Sequence, residues 1–306
     1  MRKINPLNDF AFKKIFGEKG REIELMSFLN AILYKTLSSP IAKITIIEHK
    51  ELTKELIDDK LGIIDIRSQL EDGTVVNIEI QIRDQHNMEK RTVFYWSKLY
   101  TEGIKKGEDY KELSKVITIN ILDFNLLSTA SYLSTFHLRE DTQTEIILTD
   151  VMEIHFIEYP KFIEQVGENF KKLPITRWLK LLQKDIDENE IKELIEMEPV
   201  MAYVESTIDY ITSDPQARLL YEGREKARLD RISLLRGAEE KGREAGREEG
   251  RKEGEIKGRK EGEIKGRLEG EIKTLFNYLK MTAEEIATEL KQPLEQVQQI
   301  IDKLGR

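Results

Sequence analysis

Between Gly62 and Gln81 the chain alternates isoleucine with polar residues on both sides of a turn, and that alternation leaves little freedom of fold. Take Glu71-Asp72-Gly73 as a three-residue hairpin loop, with Gly73 at the position that needs φ > 0. Leu70 then faces Thr74, and Asp65 faces Glu79. Successive side chains of a strand point to opposite faces, and opposed residues share one. One face carries Gly62, Ile64, Ile66, Ser68, Val76, Ile78, Ile80 and Ile82. The other carries Ile63, Asp65, Arg67, Asn77, Glu79 and Gln81. A two-residue loop at Asp72-Gly73 would set Asp65 against Ile80 and mix charged and apolar residues on both faces. A buried face specifies register strongly, so the three-residue loop is the expectation. Opposed like charges destabilise a sheet, and a cation between them removes that cost. A hard divalent ion such as Mg²⁺, which takes oxygen ligands and keeps several waters, suits the Asp65–Glu79 pair.

The rest of the chain frames this hairpin. Its 306 residues hold one large domain or two modest ones. No apolar run approaches the roughly 18–20 residues needed to cross a bilayer. The opening Met1–Pro6 has no signal-peptide core, and there is no cysteine, so no disulfide or thiolate site can form. Cytoplasmic residence and no membrane partner are the expectations. The net charge is −8, with the acidic excess concentrated in residues 126–236, so the chain carries no basic stripe of the kind a dedicated DNA binder shows.

Helical spacing marks residues 8–37, broken at Gly17 and stopped before Pro40. A strand is expected over Ile41–Glu48, then the hairpin. An amphipathic helix follows over Met88–Ile104, and a buried-type strand over Val116–Phe124. Two further alternating segments, Ser131–Arg139 and Glu145–Glu158, flank a polar turn. From Tyr159 the pattern is helical. Three octads of the form Gly-Arg-(Lys/Leu)-Glu-Gly-Glu-Ile-Lys start at Gly250, Gly258 and Gly266, after a degenerate copy at Gly242. Glycine costs about 1 kcal/mol against alanine in a helix, while i,i+4 ion pairs return a few tenths each. The segment is therefore either a charged linker or a conditional helix that forms on self-association. In the tail, Thr282-Ala283-Glu284-Glu285 is a capping-box start. Its two short helices resemble a helix-turn-helix, but the second exposes acids and amides with only Lys303 basic, so a packing hairpin is the better reading.

The expected class is α/β, with an αβββαβ core. The expected division is a domain over 1–160, a helical region over 161–237, the octad repeat over 238–273 and a two-helix module over 274–306.

An acid on one strand and Glu-x-Lys on the next, within such a core, is the layout of the PD-(D/E)XK nuclease superfamily. This chain resembles its recombination-promoting nuclease, or transposase, branch. The resemblance rests on Asn8-Asp9-Phe10-Ala11-Phe12-Lys13-Lys14-Ile15-Phe16-Gly17, on Asp65-Ile66 and Asn77-Ile78-Glu79-Ile80-Gln81, and on Arg91 to Tyr100. The glycine-arginine-glutamate repeat and short helical tail are similar too. The resemblance implies a restriction-endonuclease-like fold and metal-dependent hydrolysis of DNA phosphodiesters. Asp65, Glu79 and the carbonyl of Ile80 would hold Mg²⁺. Gln81 stands where the superfamily has lysine; it can orient a water but adds no charge. Arg67, and Arg91 if its helix turns it inward, are candidate substitutes, with phosphate contact or plain surface charge as the competing readings. A homodimer or higher oligomer through residues 237–306 is expected. The competing function is a non-catalytic DNA- or protein-binding module on the same fold.

Other residues carry less. Glu24 on the second helix reads as solvated, with a side approach to the metal as the alternative. Asp9 and Lys13 read as a surface pair or a cap. The histidines at 49, 86, 137 and 155 lack metal-ligand spacing and read as incidental. Phe94, Tyr95, Trp96 and Tyr100 read as core.

Overall fold

The structure is a computed structural model that describes residues 4–47, 66–82, 84 and 86–304. Asp65, and with it the expected first carboxylate, lies outside the described residues, as do His49 and the strand-flanking residues Ile63 and Ile64. Two helices, α1 (Asp9–Phe16) and α2 (Glu22–Leu33), precede a six-stranded sheet. Its strands are β1 (Ile44–Ile47), β2 (Ile66–Leu70), β3 (Val75–Gln81), β4 (Val116–Leu122), β5 (Leu133–Arg139) and β6 (Ile147–Glu158). Their spatial order is β1-β2-β3-β4-β6-β5. The helix α3 (Met88–Glu102) crosses from β3 to the parallel strand β4. This is the mixed α/β order expected from the periodicities.

The hairpin takes the expected register. Ile66 pairs with Ile78, Arg67 with Asn77 and Ser68 with Val76. Leu70 N–H donates to Thr74 O at 2.9 Å, and Gly73 sits at φ 86°. Only glycine adopts that region without strain, so the loop length is written into one residue.

Alternation divides the sheet into two unlike faces. Ile66, Val76, Ile78, Ile117, Ile119, Ile121 and Ile157 join one large core with α1 and α2. The same core takes up the later helices α4 (Tyr159–Val166), α5 (Pro174–Leu181), α6 (Glu188–Met197) and α7 (Met201–Ser213). Its centre is aromatic: Phe16 stacks on Phe28 with centroids 4.8 Å apart, and Trp178 meets Phe28 at 5.5 Å. Offset and tilted ring pairs of this kind add to the apolar area they bury. The opposite face carries Leu122, Ile154 and Phe156 in a smaller cluster with Met88 of α3.

The large-core face also buries polar groups that alternation did not reveal. Glu153 and His155 on β6 are both buried. His155 Nε2 lies 2.6 Å from Glu153 Oε1, Lys115 Nζ lies 2.5 Å from Glu153 Oε2, and Thr135 Oγ1 lies 3.1 Å from His155 Nδ1. The β5–β6 register shifts just past Phe136, and His137 there comes within 3.6 Å of Glu153. A bulge re-aims a side chain in this way. His137 and His155 are therefore members of a network around a buried carboxylate, not incidental surface groups. Glu24 is likewise corrected: it is buried and ion-paired to Arg21 at 3.0 Å.

The chain divides into two compact units, Met1–Arg228 and Leu229–Arg306. In the first, the opening turns of the long helix α8 (Pro215–Asn277) bind the start of α1: Asn5 N–H donates to Tyr221 Oη at 2.9 Å and Asn8 Nδ2 to Glu225 Oε2 at 3.1 Å. In the second, α8 continues through the octads, and its Ile272 packs with α9 (Ala283–Glu289) and α10 (Leu294–Leu304) through Ile286, Val297, Ile300 and Ile301. Thr282 caps α9 as the capping box requires. Ile256 and Ile264, the equivalents of Ile272 in the earlier octads, are exposed.

The Glu153 network has a pH signature. Burial raises the Glu153 pKa, but hydrogen bonds from His155, Lys115 and Thr36 outweigh it and hold the carboxyl at about 2, against an ordinary 4.5. A carboxyl whose folded-state value is depressed contributes stability above its unfolded value and loses it as pH falls through the folded one. Glu153→Gln is expected to cost about 1–3 kcal/mol near neutral pH by leaving buried partners unsatisfied. It should also flatten the stability profile between pH 4.5 and 2, measured by urea denaturation. An acid limb as steep as that of the wild type would show that the network does not carry it.

Candidate active site

Helix α3 lies across the second face of the sheet and is held at two points. Thr92 Oγ1 donates to Asn120 Oδ1 at 3.2 Å, and Trp96 Nε1 donates to the carbonyl of Val116 at 3.0 Å. One helical turn along α3 thus matches four residues back along β4, so helix and strand run antiparallel. The N-terminal turn of α3 is thereby set at the carboxyl ends of β3 and β4, where Met88 packs on Leu122. Asn120 is fixed in turn by donating from Nδ2 to the carbonyl of His155 at 3.1 Å.

Glu79 is the neighbour of Asn120 in the parallel β3–β4 ladder. The hairpin's polar face is therefore covered, and Glu79 and Asn77 are buried. Asn77 Nδ2 lies 3.5 Å from Glu79 Oε1, a marginal hydrogen bond, and Glu79 Oε2 has no hydrogen-bond partner among the described residues. Burial pushes the Glu79 carboxyl up to about 7, while the charge of Arg91 and the Asn77 amide pull the other way. A buried carboxylate with an open oxygen is an acceptor in want of a cation or a donor.

Two arginines flank it differently. Arg67 Nη1 is tied to Glu102 Oε2 at 2.8 Å, at the C-terminal end of α3. Arg91, in the first turn of α3, is turned inward. Its Nε and Nη2 are buried without a hydrogen-bond partner among the described residues, and its Cζ stands 5.0 Å over the Tyr95 ring. Gln81 is half-buried at the end of β3, where its carbonyl accepts from Asp123 N–H at 2.9 Å. Ile80, between them, packs its side chain on the large core. The structure thus gathers Glu79, Gln81 and Arg91 at one end of the sheet, with Arg67 engaged elsewhere on α3.

Among the described residues no three His, Asp or Glu side chains converge as a complete metal cage. The open, buried Oε2 of Glu79 does fit one ligand position of a hard cation, and the expected second carboxylate, Asp65, is outside the described residues. His86 is 90 % exposed by side chain and leans on Asp84, away from ligand duty. Phe94 is 54 % exposed, so the aromatic group of α3 is not all core. Trp96 and Tyr100 do stack, at 5.0 Å.

A carboxyl whose folded-state value is raised contributes stability below its unfolded value and loses it as pH rises through the folded one. Without metal, Glu79 therefore weakens the fold progressively from pH 4.5 through about 7. Glu79→Gln is expected to raise the metal-free melting temperature above pH 7, by up to about 3 kcal/mol in stability, and to do little below pH 4.5. Melting in EDTA across that range checks it; a variant that is less stable at every pH would contradict it.

Comparison with known proteins bears on this site. A family model described as PD-(D/E)XK nuclease family transposase matches residues 6–238, which include β2, β3 and α3. Comparison with curated proteins and with solved structures found no match. Within the matched region lie a hairpin in the expected register, a buried glutamate on its second strand, and a crossover helix leading to a parallel strand. The chain belongs to the PD-(D/E)XK nuclease family transposases.

Proposed function

We propose that the protein is a divalent-metal-dependent DNA endonuclease of recombination, mobile-element or defence biology. The observation that carries the reading is the buried Glu79, with one oxygen unpartnered among the described residues, on the strand where the resemblance implies a metal-binding acid. In this reading Asp65, Glu79 and the Ile80 carbonyl hold Mg²⁺. The ion supplies Lewis-acid polarisation of a phosphoryl oxygen and makes a water more acidic. Gln81 orients the attacking water through its amide. Asn77 and the overlying α3 keep the Glu79 carboxylate in place and shielded from solvent. Arg67 contributes a positive field from the rim.

The second reading is a binding module that keeps the fold without cutting, favoured by the absence of lysine at position 81. Cleavage of plasmid and linear DNA separates the two. With Mg²⁺ or Mn²⁺ the full chain is expected to cut. EDTA should abolish cutting, and Glu79→Ala should lower it roughly 100-fold or more, the scale of losing one preorganised electrostatic group. Folded wild type that cuts with neither ion would support the module instead.

Self-association through residues 237–306 belongs to the same reading. Ile256 and Ile264 are exposed on α8, and burying them against a second copy would remove apolar surface from water. Light scattering should give a dimer or larger for the full chain and a monomer for residues 1–236; equal states for both would remove this region from the interface.

A further inference from the structure

We propose that the Arg91 guanidinium is a catalytic group, supplying from α3 the positive charge that position 81 lacks; the proposal rests on the nuclease reading above. Four observations converge on it. Position 81 is glutamine, so β3 brings no cation to its carboxyl end. Arg91 Nε and Nη2 are buried yet unpartnered among the described residues. Buried arginine is ordinarily paired, so these donors are poised for an acceptor that arrives. Glu79 is the ladder neighbour of Asn120, the residue to which Thr92, next to Arg91 on α3, is bonded. Arg67, the other candidate, has its Nη1 held by Glu102 at 2.8 Å toward the C-terminal end of α3, although its Nε too is buried without a hydrogen-bond partner among the described residues.

The placement is rigid. The Thr92–Asn120 bond fixes the very next residue of α3 to the strand beside Glu79. The Tyr95 ring, one turn on, supports the guanidinium at 5.0 Å. The first turn of a helix adds partial positive charge of its own. A planar fork of N–H donors matches two phosphate oxygens at once.

The step is a hydrolysis. A water oxygen bonds to phosphorus and the bond from phosphorus to one ester oxygen breaks. The water's proton leaves to solvent and the departing alkoxide takes one up. Arg91 stays protonated throughout, because guanidinium does not give up its proton in proteins. It donates to a non-bridging oxygen as negative charge builds there, and does not act as the base.

The test uses the full chain as wild type, Arg91→Ala, Arg91→Lys and the double variant Arg91→Ala with Gln81→Lys. Cleavage is measured with Mn²⁺, DNA binding by anisotropy with Ca²⁺, and Mn²⁺ affinity by electron paramagnetic resonance at pH 8. Arg91→Ala is expected to lose roughly 10²–10³-fold in cleavage rate, with DNA affinity within a few-fold of wild type. Its Mn²⁺ affinity should be unchanged or higher, because a like charge has left the site. Gln81→Lys should return at least tenfold of the lost rate by restoring a cation from β3, and Arg91→Lys should retain an intermediate rate. Cleavage by Arg91→Ala within threefold of wild type overturns the proposal while leaving the nuclease reading intact. So does a loss accompanied by weaker Mn²⁺ binding and no recovery in the double variant, which is the pattern of a purely structural arginine. Wild type that cuts no DNA overturns the nuclease reading and this proposal together.

Discussion

A carboxylate buried under a helix is the constraint around which the rest of the first unit is arranged. Glu79 is fully enclosed, and an enclosed charge is costly unless it is paired and hydrogen-bonded. The protein answers that cost only in part. Asn77 approaches one oxygen, Arg91 contributes its field, and the second oxygen has no partner among the described residues. An arrangement serving stability alone would gain from closing that gap with one more donor. A carboxylate oxygen and guanidinium donors are thus both left without hydrogen-bond partners, among the described residues, at the same end of the sheet.

That arrangement depends on where α3 lies. The helix does not merely cover the sheet; Thr92 and Trp96 lock its axial position against β4. A slip of one residue would rotate the helix by about 100° and carry Arg91 away from Glu79. The opposite face of the sheet shows the contrasting use of buried charge. There Glu153 is surrounded by Lys115, His155 and His137, and its carboxyl is held well below the usual range. One face holds an ion-paired carboxylate whose contacts reach the edge strand β5 through Thr135 and His137, and the other holds a carboxylate with no salt bridge among the described residues.

The octad repeat obeys different physics. Its glycines stand in an unbroken helix with nothing within 4 Å of the place a Cβ would occupy. They do not mark a close approach within the chain. A four-residue spacing drifts by about 40° per glycine on an α-helix, so from Gly242 to Gly270 the glycines circle most of the way round. A straight partner helix has no continuous glycine face to meet. The ion pairs Arg259–Glu263 and Arg267–Glu271, at 3.0 and 2.9 Å, support the helix locally. Ile272 is the octad isoleucine that finds a core, because α9 and α10 fold back onto that turn.

Local order was legible in the residues. Alternation and a single glycine set the hairpin register, since a strand has a period of two and only Gly73 accepts its backbone angle without strain. Helical spacing marked α1, α2 and α3, and Thr282 marked the start of α9. Those are properties of neighbours in sequence, so the sequence by itself determined them. It did not determine that the polar face of the hairpin would be covered, that Arg91 rather than Arg67 would face Glu79, or that His155 would lie against a buried glutamate. Each of these depends on packing between segments distant along the chain: Thr92 meets Asn120 across 28 positions, and Arg67 meets Glu102 across 35. Periodicity says which side of an element is apolar. Only the tertiary structure decides what comes to rest on the other side, because that follows from the axial and rotational fit of one packed surface on another.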